Sequence, residues 1–207
     1  MIGEFCACRT PVVPEGTLCL AASIVTIGAF DGVHLGHQAL IGTAVTTARA
    51  QGVASVVWTF DPPPKVFFTG AAQLCTLDDK LARIAALGPD HIVLARFNRS
   101  YRTRTATQFL QALAQLHPVQ VHVGMDFRFG AGQAGDVALL AQHFTTRIHE
   151  TVRCEQQEVV SSSRIRTLRA QGQQDCAQRI QGIAHAEKLL TGWMLVDHQL
   201  DERDSHV

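Results

Sequence analysis

The chain has 207 residues, of which 46% are hydrophobic and 17% charged, a composition that fits a compact globular protein and excludes a disordered or fibrous one. Eighteen basic residues balance eighteen acidic ones, so no global field attracts nucleic acid or an anionic membrane, although ten histidines make the charge sensitive to mildly acidic pH. Six cysteines occur without a CxxC pair, which excludes a disulfide scaffold and predicts reduced thiols.

Residues 1–20 are predicted to be a leader outside the fold. Cys6 and Cys8 lie within it and receive no role, because no second Cys or His pair follows at zinc spacing. The most apolar early stretch, residues 18–30, is interrupted by polar residues and is too short to cross a bilayer. Acidic residues ahead of that stretch are unlike a signal peptide, so the sequence predicts a cytoplasmic protein.

Strands and helices are predicted to alternate from residue 21 to residue 185. Short apolar runs rich in β-branched residues predict strands at 23–30, 54–60, 91–97 and 120–127. Apolar residues at helical spacing predict helices at 40–48, 76–88, 105–116 and 136–144. Beyond residue 147 the weaker pattern predicts short strands at 147–153 and 155–160, helices at 163–171 and 175–182, and an ambiguous tail at 186–207.

Alternating strands and helices of this length indicate crossover connections between parallel strands. The expected fold is therefore an α/β, Rossmann-like parallel sheet with helices on both faces, formed by residues 21–185. In such sheets ligands bind at the carboxyl ends of the strands. The loops that follow the strands are the places to look for chemistry.

The loop after the first predicted strand combines glycines with imidazoles. Gly28 and Gly32 allow the backbone to approach a ligand closely, and His34 and His37 follow at the entry of the next helix. A helix N-terminus with two directed imidazole donors is suited to phosphoryl oxygens, and the three-residue spacing lets both side chains face one cleft. Two such histidines alone are more often a surface pair or half of a metal site, so the glycines and the position after the strand favour phosphate binding.

Four blocks of the sequence resemble one known family. They are TIGAFDGVHLGH at residues 26–37, TFDP at 59–62, VGMDFRFG at 123–130 and SSSRIR at 161–166. Their order and content are similar to the adenylyltransferase module of bacterial bifunctional riboflavin kinase/FAD synthetases, within the HxGH nucleotidyltransferase superfamily. The resemblance covers residues 23–182.

The resemblance implies transfer of AMP from ATP to FMN, giving FAD and pyrophosphate, with Mg²⁺ bound mainly by the phosphates. His34 and His37 would be the catalytic residues. The residues implied in ATP binding are those histidines with Gly28, Phe30, Asp31, Gly32, Ser162, Ser163 and Arg166. The residues implied in binding the acceptor or its phosphate are Asp61, Gly124, Asp126, Phe127 and Arg128. Protein ligands of the metal cannot be assigned from the sequence.

The serines before Ile165 also have a direct physical reading, because they can cap a helix whose start holds an anion, with Arg166 as a further donor. The plainer reading is an ordinary capped helix with a solvent-facing arginine. Asp126 could instead cap the following glycine loop, and Phe127 could instead close the core.

The chain departs from the family in two places. Pro63 and Pro64 stand where the family usually has His-Pro, so an imidazole is missing, and His91 or another group could replace it. The riboflavin kinase module expected near residue 185 is absent, with residues 190–197 as a remnant of its first strand at most. We therefore expect no flavokinase activity, a need for preformed FMN, and a separate riboflavin kinase as a candidate partner.

Other functions stay open from the sequence. Residues 130–135 read GAGQAG, and Glu155 follows at the distance of a ribose-binding acid, which would indicate an NAD or FAD dehydrogenase. Against this, the motif belongs to the fourth strand-helix unit and leaves the histidine loop unexplained. The loss of the imidazole also allows transfer of AMP or CMP to another phosphorylated or carboxylated acceptor, or a nucleotide-binding regulator.

Overall fold

The structure is a computed structural model that describes residues 10–182 and 193–195. Its strands are β1 (Thr10–Pro14), β2 (Ser23–Ile27), β3 (Ala54–Asp61), β4 (His91–Arg96), β5 (Pro118–Gly124), β6 (Arg128–Phe129), β7 (Gly135–Asp136), β8 (Thr146–His149) and β9 (Trp193–Leu195). Seven of them form one sheet in the order β8-β5-β2-β3-β4-β1-β9, with every pairing parallel. The strands β6 and β7 form a separate antiparallel ribbon.

The helices cover both faces of the sheet, as predicted for a Rossmann-like α/β fold. They are α1 (Leu35–Gln51), α2 (Pro64–Thr69), α3 (Leu77–Ala85), α4 (Ala106–Ala114), α5 (Val137–His143), α6 (Ser162–Ala170) and α7 (Gln174–Gln181). On one face, α4 and α5 bury Phe109 and Leu140 against Trp58 of β3. On the other, α1 and α3 bury Ile41 and Ile84 with Val57, the next residue of the same strand. All five residues of β2 are buried because both of its faces are covered.

Local sequence signals explain where the main helices begin and end. Thr105 and Gln108 form a capping box at the start of α4, and Thr76 caps α3 by accepting from the backbone N–H of Asp79. α1 ends where Gly52 adopts a left-handed conformation that glycine takes without strain. The predicted helices and the first four predicted strands are present, with ends displaced by a few residues.

Besides the ribbon strands β6 and β7 and the edge strand β9, the sequence did not predict β1 or α2. β1 lies inside the segment assigned to a leader, and its two prolines removed the strand signal because proline donates no ladder hydrogen bond. The short helix α2 begins directly after Pro63, where proline fits the first turn of a helix. The strand predicted at residues 155–160 was wrong, since that segment contains a turn and only an isolated bridge between Arg153 and Val159.

The ends of the chain are described only in part. Within the predicted tail, β9 pairs with β1 as a further parallel strand of the sheet. Cys6 and Cys8, and the rest of residues 190–197, lie outside the described residues. None of the described helices combines the length and the hydropathy that crossing a membrane requires.

Candidate active site

The loop between β2 and α1 lies at the carboxyl edge of the sheet and is tightly built. A Cβ on Gly28 would lie 2.8 Å from the ring of Phe30, and Gly32 has φ +79° with Leu74 closely packed against it. Both glycines of the motif are therefore required by the local backbone and packing. Phe30, predicted to bind ATP, has no exposed surface, and its ring packs edge-on against His37 with ring centres 5.2 Å apart. Its side chain positions the imidazole.

The structure brings His34 and His37 together, with ring planes nearly parallel and ring centres 3.5 Å apart. His34 is the N-cap of α1, and its Nδ1 accepts the backbone N–H of His37 at 3.4 Å. In a neutral ring this assigns the proton to Nε2, which makes Nε2 the donor for a ligand. The Nδ1 atom of His37 is buried and has no hydrogen-bond partner.

Both imidazoles are held neutral near pH 7 in the free protein. Burial lowers the pKa of His34 to about 4. Burial and the adjacent His34 ring lower the pKa of His37 well below its usual value of 6.5. Each ring is therefore available to a ligand as a neutral N–H donor.

Asp31 connects this loop to α6. Its carboxylate pairs with Arg166 and accepts the backbone N–H of Leu74 at 3.0 Å, while its backbone carbonyl accepts from Ser162 Oγ at 2.9 Å. The side chain is almost fully buried. Arg166 also donates to the carbonyl of Ala72 at 2.8 Å. In this structure the predicted phosphate-binding arginine is thus engaged by protein groups, and it holds the loop and α6 together.

The first turn of α6 faces the same edge. Ser161 is the N-cap and accepts from the backbone N–H of Arg164, so the N–H groups of Ser162 and Ser163 have no acceptor within the helix. The hydroxyl of Ser163 accepts from Lys65 Nζ at 2.8 Å. The predicted serines therefore lie next to the histidine loop, at a helix start suited to an anion.

The predicted acceptor residues follow β3 and β5. Asp61 ends β3, and its backbone carbonyl accepts from the N–H of Phe97 just after β4. Gly124 ends β5, and the exposed Asp126 lies in the turn that follows it. Among parallel strands these ends meet at one edge, so the structure places Asp61, Gly124 and Asp126 along the edge that carries the histidines.

Phe127 and Arg128 are engaged elsewhere. Phe127 is half-buried, with its ring centre 5.6 Å from that of Phe129 and 6.4 Å from that of Phe109. Arg128 pairs with Asp136 across the β6–β7 ribbon at 3.2 Å. The structure therefore favours core packing for Phe127, while the guanidinium of Arg128 is turned toward a carboxylate of its own ribbon.

Three features of this edge were not found from the sequence. One is Lys65, already described. Another is Lys80 on α3, a buried lysine whose Nζ donates to the carbonyl of Phe60 at 2.5 Å. Burial lowers its pKa, and the nearby carboxylate of Asp61 opposes that effect. Lys80 lies on the buried face of α3, beside apolar residues. The one sequence signal for it was a charged residue at a helical position predicted to be buried.

The third feature is a surface of aromatic rings after β3 and β4, which we call the aromatic surface. Neighbouring ring centres lie 5.4 to 6.1 Å apart. Its members are the buried Phe60, the half-buried Phe67, Phe97 and Tyr101, and the exposed Phe68. Phe68 is 59% exposed, which is unusual for a ring that packs with several others. The unpredicted helix α2 supplies two of the rings, so the surface could not be assembled from the sequence.

Two sequence hypotheses are wrong. The glycines at 130–135 serve packing, since a Cβ on Gly130 would lie 2.7 Å from the backbone of Ala106 and one on Gly135 would lie 2.5 Å from the ring of Phe129. They do not form the turn between a sheet strand and its helix that a dinucleotide site requires. His91 begins β4 and so lies at the opposite edge of the sheet, where it cannot replace the missing imidazole.

A parallel Rossmann-like sheet with an HxGH loop at its carboxyl edge and a serine-capped helix start beside it defines a nucleotidyltransferase. The family model described as FAD synthetase matches residues 18–164. The chain belongs to the FAD synthetase family.

Individual relatives agree with that family. The chain is 49% identical over 156 residues to a protein of Geobacillus thermodenitrificans provisionally named a bifunctional riboflavin kinase/FMN adenylyltransferase, covering 75% of this chain and 87% of that one. It is 31% identical over 173 residues to the bifunctional riboflavin kinase/FMN adenylyltransferase of Listeria monocytogenes, covering 80% of this chain but only 55% of that protein.

A solved structure has a similar fold. A crystal structure described as a macrolide-efflux protein from Streptococcus pneumoniae superposes with a TM-score of 0.73 at 24% identity, covering 83% of this chain and 60% of that one. At this identity the likeness shows the fold alone.

Proposed function

We propose that the protein is an FMN adenylyltransferase that transfers AMP from ATP to FMN and releases pyrophosphate. The observation that carries the proposal is the contact between Asp31 and Ser162, which joins the His34–His37 loop to the start of α6 in a chain of the FAD synthetase family. Both phosphate-binding elements thus open on one edge of the sheet. We place the reaction in the cytoplasm, where ATP and FMN are available.

The chemistry requires positioning and charge stabilisation more than proton transfer. An ionised phosphate oxygen of FMN forms a bond to the α-phosphorus of ATP, and the bond from that phosphorus to the β-bridging oxygen breaks. Negative charge grows on the departing pyrophosphate. His34 Nε2–H and the His37 ring donate to those oxygens, and their low pKa values in the free protein supply neutral donors that gain charge only as the pyrophosphate forms.

Mg²⁺ enters with ATP as the magnesium complex of the nucleotide. Among residues 10–182 no three His, Cys, Asp or Glu side chains are grouped so that they could hold a metal ion. Phosphate oxygens would therefore provide most of the ligands, which suits an ion that keeps several waters. The residues of this chain bind and orient the triphosphate around it.

The aromatic surface supports a flavin as the acceptor. A planar isoalloxazine ring can stack on exposed aromatic side chains, and Phe68 with its neighbours lies at the edge where β3 and β4 end. Asp61 ends β3 at the same place. A small acceptor without a ring system would leave this apolar surface uncovered, which is why we favour FMN over the alternatives.

The test is to incubate the purified chain with FMN, ATP and Mg²⁺ and to separate the products by chromatography. We expect FAD and pyrophosphate in equal amounts. Preformed FMN is supplied, so the result does not depend on any kinase. Parallel reactions with CTP, and with other phosphorylated or carboxylated acceptors, test the nucleotide and acceptor preferences. Formation of another nucleotidyl product, with no FAD at high enzyme concentration, would contradict the proposal.

A further inference from the structure

Lys65 lies where the chain departs from its family. Pro63, in place of the usual histidine, precedes α2, and Lys65 is in the first turn of that helix. The lysine is exposed, and its Nζ donates to Ser163 Oγ at 2.8 Å. The fold thus brings an ammonium group from the segment after β3 to the start of α6, close to the position that lost its imidazole.

The lysine and the serine together form a set of donors. The ammonium has three N–H groups, of which one is used by Ser163, so two remain available. Because the serine oxygen accepts from the lysine, its own hydroxyl hydrogen is free to donate. The backbone N–H of Ser163 adds a further donor without an intrahelical acceptor. A single anionic oxygen between the two side chains could accept from both.

Two other cations described at this edge are less available. Arg166 is paired with the buried carboxylate of Asp31, and Lys80 is 2% exposed and donates to a backbone carbonyl. Lys65 takes part in none of the ion pairs found among residues 10–182. It is therefore an exposed cation that can approach a phosphate without first leaving a carboxylate.

We propose that Lys65 and Ser163 bind one oxygen of the ATP triphosphate together, so that Lys65 takes the place of the imidazole missing at Pro63. This assignment rests on the proposed function, because it names a further binding residue of the same site. It also accounts for the retention of the site in a chain that lacks the family histidine. Lys65 would act on nucleotide affinity, while His34 and His37 act on the chemical step.

The test measures ATP binding directly, by calorimetry with Mg²⁺ and without FMN, for the wild type and the variants Lys65→Met, Lys65→Arg and Ser163→Ala. Arg49→Met, at the far end of α1, is the control for losing one exposed cation. We expect Lys65→Met to weaken ATP binding about tenfold, as for the loss of a charged hydrogen-bond donor. Lys65→Arg should recover most of the affinity, and Arg49→Met should bind ATP as the wild type does.

Three further readouts distinguish a phosphate contact from a general structural effect. Adenosine, which has no phosphates, should bind Lys65→Met and the wild type equally. Combining Lys65→Met with Ser163→Ala should cost less than the two single effects added together, because one shared contact is lost. In FAD formation, the KM for ATP should rise while the KM for FMN changes less than twofold. Thermal unfolding checks that each variant is folded.

Returning the imidazole gives the sharpest test. Pro63→His should raise ATP affinity at least threefold in the Lys65→Met background and by less in the wild type. Wild-type ATP affinity in a folded Lys65→Met protein would overturn the assignment. If the wild type makes no FAD but binds ATP in a manner that depends on Lys65, the proposed acceptor fails and the assignment of Lys65 stands.

Discussion

The two imidazoles of the first loop have different structural roles, and this affects how their loss should be measured. His34 caps α1 through its Nδ1, whereas His37 is positioned by the ring of Phe30 and by stacking on His34. Replacing His34 therefore removes a helix cap together with the proposed donor to the phosphates. Replacing His37 removes mainly the donor.

We expect His34→Ala and His37→Ala each to lower kcat for FAD formation by about 100- to 1000-fold, the usual cost of removing a donor to developing negative charge. His34→Ala should also lower the free energy of unfolding by about 1 kcal/mol through the lost cap. Steady-state kinetics and urea denaturation check both effects. A folded variant with an unchanged rate would refute the catalytic assignment.

We expect the buried side chain of His122 on β5 to make the stability of the protein sensitive to acid. The side chain has no exposed surface, bonds to Gln120 and contacts His149, and burial lowers its pKa from 6.5 to about 4. The unfolded chain takes up this proton near its ordinary pKa, whereas the folded protein resists it. The free energy of unfolding therefore falls as the pH falls from about 6.5 toward 4. The expected loss from His122 is on the order of 2 kcal/mol.

His122→Gln should reduce that pH dependence, measured by urea denaturation at several pH values between 7 and 4. His143→Gln is the matched control, because His143 is exposed on α5 and its replacement should leave the slope unchanged. An equally steep slope in the His122 variant would assign the acid sensitivity to other buried imidazoles.

At the scale of elements, the glycines fall into two groups that the sequence does not separate. Gly42 lies in α1 with nothing near the position of a Cβ, whereas a Cβ on Gly135 would lie 2.5 Å from the ring of Phe129. We expect Gly42→Ala to raise the free energy of unfolding by about 0.5 to 1 kcal/mol, since alanine loses less backbone entropy in a helix. Gly135→Ala should lower it by about 1 to 3 kcal/mol through overpacking.

Thermal and urea denaturation of the two alanine variants measure both changes. The paired result also bears on the glycine motif at residues 130–135, because a packing role predicts a loss of stability without any change in NADH binding. If the wild type bound NADH saturably at micromolar concentration and Gly135→Ala did not, residues 130–135 would have to be interpreted as a dinucleotide site after all.

The sequence predicted elements well where one physical signal was sufficient. Strands buried on both faces, such as β2, read as continuous apolar runs, and capped amphipathic helices such as α4 carried clear start signals. Prediction failed where the local signal was opposed by contacts with distant residues. The prolines of β1 weakened its strand signal, although the segment pairs with β4. In the same way, α2 begins within a run of prolines. Lys65 depends on α2, so its place in the site could not be predicted either.

The same limit applies to the charges of the site. The motifs gave His34, His37, Ser162 and Ser163 as neighbours, which the structure brings to one edge. The pairing of Arg166 with Asp31 required two segments that are far apart in sequence, and no spacing rule encodes it.

At the scale of the whole molecule, Asp31 holds α6 against the first loop. Asp31→Asn removes the negative charge that faces the partly buried Arg166. We expect the free energy of unfolding to fall by about 3 kcal/mol, as for a buried pair that loses one partner, with ATP binding weakened as well. Urea denaturation and calorimetry check these effects. Arg164→Met, which removes a pair with the largely exposed Glu158, should cost less than 1 kcal/mol and serves as the comparison.

The closure of the molecule continues into α7. Gln181 has no exposed surface. Its side-chain amide donates to the backbone carbonyl of Gly32 at 3.0 Å, and its backbone carbonyl accepts from the side chain of Gln38 at 3.0 Å. These bonds join positions separated by well over one hundred residues. Because the chain is synthesised from its N-terminus, these late helices are made long after the first loop that they contact. A nascent chain that has emerged only as far as β8 holds the central strands but lacks Ser162, Arg166 and Gln181, so the contacts of the first loop with α6 and α7 can form only after those helices have been made.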